Sequence, residues 1–151
     1  MDLSRLSQEL ASTFGKSTKP VTLLAISRET RDRYADQVAA LESMDWESGT
    51  PSDLDAFYEP NPALSSAGYR YLIPKVFAFC LRWPNLDKHI IDVMLMLPFL
   101  IDQEGLIDGY TKQEKKLLWE FLEEGHKLIG DDIFENHGAA AVALKAKLLC
   151  T

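Results

Sequence analysis

The sequence predicts a mainly α-helical, single-domain bundle with a buried apolar helix at its centre. Three observations carry this. Apolar residues recur at helical spacing in most segments, and cap and stop signals fall at the segment ends. One segment, Leu86 to Leu97, is apolar on almost every side, as a central helix must be. The 151 residues suit one domain spanning 1–151.

Leu3, Leu6, Leu10 and Phe14 open the chain at helical spacing, with Asp2 or Ser4 placed to cap and Gly15 placed to end the helix. A polar loop, Lys16 to Pro20, follows. Val21 to Ile26 is short and apolar, and periodicity leaves strand and buried helix both open there. From Ser27 the helical pattern returns, with Tyr34, Val38, Leu41 and Met44 as its stripe. Gly49, Pro51, Pro60 and Pro62 mark Asp45 to Pro62 as irregular, apart from a short helix carrying Phe57 and Tyr58. Trp46 is expected to be at least partly buried, anchoring this stretch.

Ser65 or Ser66 caps a helix predicted to run to about Arg82. Its core face is Tyr69, Leu72, Ile73, Val76, Phe77, Cys80 and Leu81. Pro74 falls inside and should kink the helix rather than end it. Arg70, between Tyr69 and Tyr71, is expected to lay its stem on the rings and pair with a carboxylate from the acidic stretch upstream. After Trp83-Pro84-Asn85, Asn85 caps Leu86 to Leu97, and Pro98 ends or bends that helix. Asp102 to Gly109 is a turn-rich loop. Thr111-Lys112-Gln113-Glu114 is a capping box ahead of Leu117, Leu118, Phe121 and Leu122, with Gly125 as the expected stop. Asp131 to Asn136 is left undecided, and Ala139 to Leu149 is a last helix.

Lys and Arg number 16, Asp and Glu 23, for a formal net charge of −7. That sign argues against a nucleic-acid-binding module, which relies on cations to neutralise phosphates. Cys80 and Cys150 form neither a disulfide framework nor a zinc pattern. The N-terminus lacks the apolar core of a signal peptide, and the run Ile90 to Ile101 is too short to span a bilayer. A soluble cytoplasmic protein is expected.

No motif carries chemistry by itself. Gly15-Lys16-Ser17-Thr18 has the ending of a phosphate-binding loop, but Leu10 stands where the first glycine belongs, behind a helix rather than a strand. His126, Asp131, Asp132 and His137 are zinc- or iron-type ligands in one short stretch, without a recognised spacing. They read as solvated loop residues. Neither a nucleophile elbow nor a cysteine–histidine pair stands out. No catalytic residue, metal site or cofactor is assigned.

Charge is distributed unevenly. Between Glu29 and Glu59 lie nine acids and only two bases, Arg31 and Arg33, so one fifth of the chain holds the whole net charge. Trp46, Phe57 and Tyr58 sit among those acids. Such a segment offers a basic protein partner both steering and anchors. Alternatively the aromatics are core and the acids solubilise. As partner-binding residues the candidates are Asp45, Glu47, Asp53, Asp55, Phe57, Tyr58 and Glu59.

The segment Ala67-Gly68-Tyr69-Arg70-Tyr71-Leu72-Ile73-Pro74 resembles the "A-F-R-Y-Y-L-P" helix of a family of small, uncharacterised acidic bacterial proteins. Trp46, about twenty residues upstream, matches that family as well. So does Leu6-x3-Leu10-x3-Phe14. Tyr110-Thr111-Lys112-Gln113-Glu114 through Phe121-Leu122 is similar to its "L-T-x-x-Q … F-L" helix. The resemblance covers most of the chain and implies no catalytic residues. Small acidic bacterial proteins include immunity proteins that neutralise secreted toxins, and by that analogy a non-enzymatic toxin inhibitor is expected. Two other readings stay open. One is a small carboxylate-dependent enzyme with a cleft near Pro74, and the other is an oligomerising regulatory or structural subunit.

Overall fold

A computed structural model describes residues 3–14, 39, 50, 65–82, 88–103 and 105–150. Six α-helices form its described part: α1 (Leu3–Phe14), α2 (Ser66–Arg82), α3 (Lys88–Ile101), α4 (Lys112–Leu128), α5 (Ile133–His137) and α6 (Ala139–Leu149). A 3-10 turn, Ile107–Gly109, lies between α3 and α4. No strand occurs among the described residues, and the mainly helical class stands. The segments read as Val21 to Ile26, as the helix after Ser27 and as irregular up to Pro62 lie outside the described residues, apart from isolated positions. The Trp83-Pro84-Asn85 break lies outside them too, as do Leu86 and Asp87 of the helix predicted after it.

Local signals set several boundaries. Ser65 begins α2 by accepting the Gly68 amide at 3.0 Å. At α4 the Thr111 hydroxyl accepts the Glu114 amide at 3.2 Å, and the Thr111 amide donates to Glu114 Oε1 at 2.9 Å. This reciprocal pair is the predicted capping box. The undecided stretch after Asp131 is the short helix α5, capped by the Asp132 carboxylate on the Phe134 amide at 2.8 Å. Ala139–Leu149 is α6, as its pattern predicts.

The core is continuous across the helices. α1 contributes Leu6, Leu10 and Phe14, and α2 contributes Tyr69, Leu72, Ile73, Val76, Phe77 and Cys80. Leu81 is only partly buried, while Phe79, outside the expected face, is buried. The apolar helix predicted over Leu86 to Leu97 is α3, buried through Ile90, Val93, Met94, Leu97, Leu100 and Ile101. It runs through Pro98 rather than ending there. α4 shares the central position, touching α1, α3, α5 and α6. Phe77 of α2 stacks on Phe121 of α4 with centroids 4.0 Å apart. Each such ring or leucine, fully buried, contributes about 1.5–3 kcal/mol against exposure.

α2 does not end at Pro74 but continues to Arg82, as the apolar spacing predicts. Proline has no amide hydrogen for the carbonyl four residues back, which is that of Arg70. Tyr110 fills the vacancy: its hydroxyl donates to the Arg70 carbonyl oxygen at 3.1 Å. Tyr110 is buried and its ring meets Phe14 edge-on at 6.1 Å. Burial pushes its hydroxyl pKa well above the ordinary tyrosine value, so it remains a donor.

Gly125 does not end α4, which continues to Leu128. A Cβ on Gly125 would lie 2.1 Å from the terminal methyl of Met94 on α3. The Met94 side chain lies against the glycine at this point, and an added methyl would have to displace its flexible end.

Candidate functional site

Three places bear on function: the acidic segment, a cleft between α1 and α4, and a pair of histidines where α4 meets α5. Asp45, Glu47, Asp53, Asp55, Phe57, Tyr58 and Glu59, the partner-binding candidates, lie outside the described residues, as does Trp46.

The cleft has a volume of about 350 Å³ and is lined by residues that include Arg5, Glu9, Gln113, Lys116 and Glu120. It exists because α1 lies along α4 and both present long polar side chains at their shared rim. Arg5 Nη1 donates to Glu9 Oε1 at 2.6 Å, one helical turn on, and Nη2 donates to Glu120 of α4. Glu120 and then Glu9 hold the guanidinium pKa above its ordinary value. The two carboxylates that share this cleft are thus committed to one cation. The ion pairs are exposed and screened by water, so they orient α1 on α4 more than they stabilise it. Sequence periodicity gave no sign of this cleft, since it marks only apolar faces.

Arg70 serves structure, with a different acceptor from the carboxylate expected. Its Nη1 donates to the Gly105 carbonyl at 3.2 Å, and its side chain lies over Gly109. Gly105 has φ +76°, a backbone state that glycine adopts without strain. Arg70 therefore holds the 105–109 turn against α2. Pro74 itself is buried.

The histidines correct the reading of their stretch as solvated loop. His126 is 0% exposed in the last turns of α4, and His137 is half-buried at the end of α5. Their ring centroids are 5.6 Å apart, nearly perpendicular at 78°. Phe99 of α3 meets His137 edge-on at 5.0 Å. His126 Nδ1 lies 2.8 Å from the Leu122 carbonyl oxygen, which is only an acceptor, so Nδ1 carries the hydrogen. The lone pair of His126 is then on Nε2. That nitrogen, and Nε2 of His137, are buried without a hydrogen-bond partner.

The acids of the stretch do other work. Asp131 Oδ1 accepts the Asp132 amide at 3.0 Å, and its Oδ2 accepts the Asn136 side-chain amide. Asp132 caps α5. Among the described residues no three His, Cys, Asp or Glu side chains converge as a metal-ligand group. Burial lowers the pKa of both histidines, most of all through lost hydration. For His126, neighbouring His137 adds to the fall while Asp131 and Asp132 oppose it; for His137, Asp131 opposes it. Both rings are neutral at neutral pH.

No helix among the described residues is long and apolar enough to cross a membrane. Comparison with family models, with curated proteins and with solved structures returns no match.

Proposed function

We propose that this chain is a non-enzymatic binding protein that neutralises a basic protein partner, as immunity proteins do with secreted toxins. One observation carries the reading. Residues 29–59 hold nine acids against two bases, and the remaining residues carry fourteen charges of each sign. The net charge of −7 thus belongs to that segment alone. An electrically balanced body with one strongly acidic segment suits directed encounter with a positive surface. Phe57 and Tyr58 supply the aromatic anchors that dominate protein interfaces once contact is made. The resemblance to small acidic bacterial proteins points the same way.

The test uses the product of the adjacent reading frame, provided that it is a basic domain with an assayable activity. Titrating it with the full chain should abolish that activity at one-to-one stoichiometry. Phe57→Ala and Tyr58→Ala should weaken inhibition at least about tenfold through faster dissociation. Undiminished activity at saturating chain, with no complex formed, overturns the proposal.

A further inference from the structure

Among the described residues the core holds one buried polar side chain, His126, at 0% exposure. Its Nδ1 hydrogen goes to the Leu122 carbonyl, and its Nε2 is buried without a hydrogen-bond partner. The His137 ring of α5 meets it edge-on, and Nε2 of His137 is buried without a partner as well. A proton added to His126 would thus create a cation away from water, with no acceptor at the new N–H. A buried, unpaired charge is among the costliest arrangements a protein can hold.

The element in contact with His126 here is built to move. α5 has five residues, Ile133–His137, set between Gly130 at φ +75° and Gly138 at φ +52°. Glycine takes such backbone states without strain and serves well where a segment must swing. α5 grips the body through rings and one aliphatic side chain. Ile133 is buried, Phe134 packs on Trp119 at 5.8 Å, and His137 lies against His126 and Phe99.

The surrounding charges do not answer the proton. Asp131 and Asp132 attract it, yet Asp131 accepts the Asp132 and Asn136 amides, Asp132 caps α5, and neither bonds an ε nitrogen. On α4, Glu123 accepts the Trp119 indole hydrogen and Glu124 pairs with Lys127. On α6, Lys145 lies over Trp119 and Phe134, and Lys147 pairs with Asp102 of α3. Glu135 of α5 is exposed. Burial prevails, and both rings bind a proton less readily than free imidazole. The closed form therefore carries fewer protons than an open one. Closure is at full strength above about pH 6.5 and weakens as the pH falls below that value.

We propose that the His126–His137 contact is an acid-released latch: a proton taken up by His126 frees α5 from α3 and α4 and uncovers the Trp119 ring on which Phe134 packs. A five-residue helix has no stability of its own in water, so α5 melts once released.

Amide hydrogen exchange of the full chain between pH 7.5 and pH 5, corrected for the intrinsic pH dependence of exchange, tests the latch. The Asn136 and Gly138 amides bond within α5 and report its state. Their protection should fall at least about tenfold across that range, as expected for one or more protons taken up on opening. Amides of α1 and α2 should keep theirs. Ordinary carboxylates titrate near about 4, below this window. His126→Leu removes the buried titrating group and should flatten the α5 profile to less than about threefold. Should that variant not fold, long-range proton–nitrogen spectra of the unsubstituted chain decide: Nε2 of His126 should gain its proton in step with the loss of α5 protection. Protonation of His126 with α5 still protected overturns the latch. So does α5 protection that is indifferent to pH, or a loss shared equally by α1 and α2.

Discussion

Tyr110 stands in for an amide that Pro74 cannot supply. The Arg70 carbonyl loses its helical donor, and a phenol 40 residues away replaces it. Tyr110→Phe keeps the ring and strands that carbonyl. The cost should be about 1–3 kcal/mol, read as a lower denaturant midpoint at unchanged slope. In a Pro74→Ala background the alanine amide bonds to Arg70 itself, and the same change should cost less. The two cysteines give a second expectation at this scale. Cys80 is buried and its thiol is pushed up to about 12 by lost hydration, whereas Cys150 is exposed. A thiol reagent at mild alkaline pH should titrate one sulfur in the native chain and two after denaturation. Two rapid native equivalents would show that the α2 core opens readily. Cys80 was legible as a buried free thiol because apolar neighbours surround it in sequence. His126 was not, because its sequence neighbours are mostly polar and its burial arises only when the helices pack.

Helix boundaries were legible wherever their cause is local. The Thr111 capping box and the Ser65 cap each rest on side chains within a turn of the boundary, and Ala139–Leu149 begins at Gly138, whose φ of +52° suits glycine. Gly125 is the opposite case. A glycine after a helical pattern reads as a stop, yet what lies against it is Met94 on another helix. Gly125→Ala therefore sets a helix-propensity gain of about 1 kcal/mol against the displacement of the flexible end of Met94, and the two should nearly cancel, to within about 1 kcal/mol. Met94→Ala alone should cost about 2–5 kcal/mol by opening a cavity. Combined, the new methyl fills part of that cavity, so the double variant should lose at least about 1 kcal/mol less than the two singles together. Additive losses in thermal or urea unfolding would show that the added methyl does not meet Met94. The α1–α4 cleft escaped the sequence for a related reason: Arg5 and Glu120 are 115 residues apart and meet only after packing.

At the scale of the whole molecule the charges separate from the apolar order. The helical class follows from apolar spacing, which is why it was legible. The distribution of charge is legible too, but it constrains encounter rather than shape. Reversing Asp53, Asp55 and Glu59 to Lys takes the 29–59 segment from −7 to −1. Charged side chains are rarely buried unpaired, so stability should change by no more than about 0.5 kcal/mol per site. Association with the basic partner should instead slow by about tenfold or more at low salt, with dissociation nearly unchanged. Added salt should slow the parent strongly and the triple variant little, because screening removes an attraction that the variant no longer has. Rates measured across a salt series for both chains separate the outcomes. Parallel slopes would mean that the attraction arises elsewhere on the molecule. In that case the balanced remainder, with its fourteen charges of each sign, would have to carry a local patch strong enough to steer.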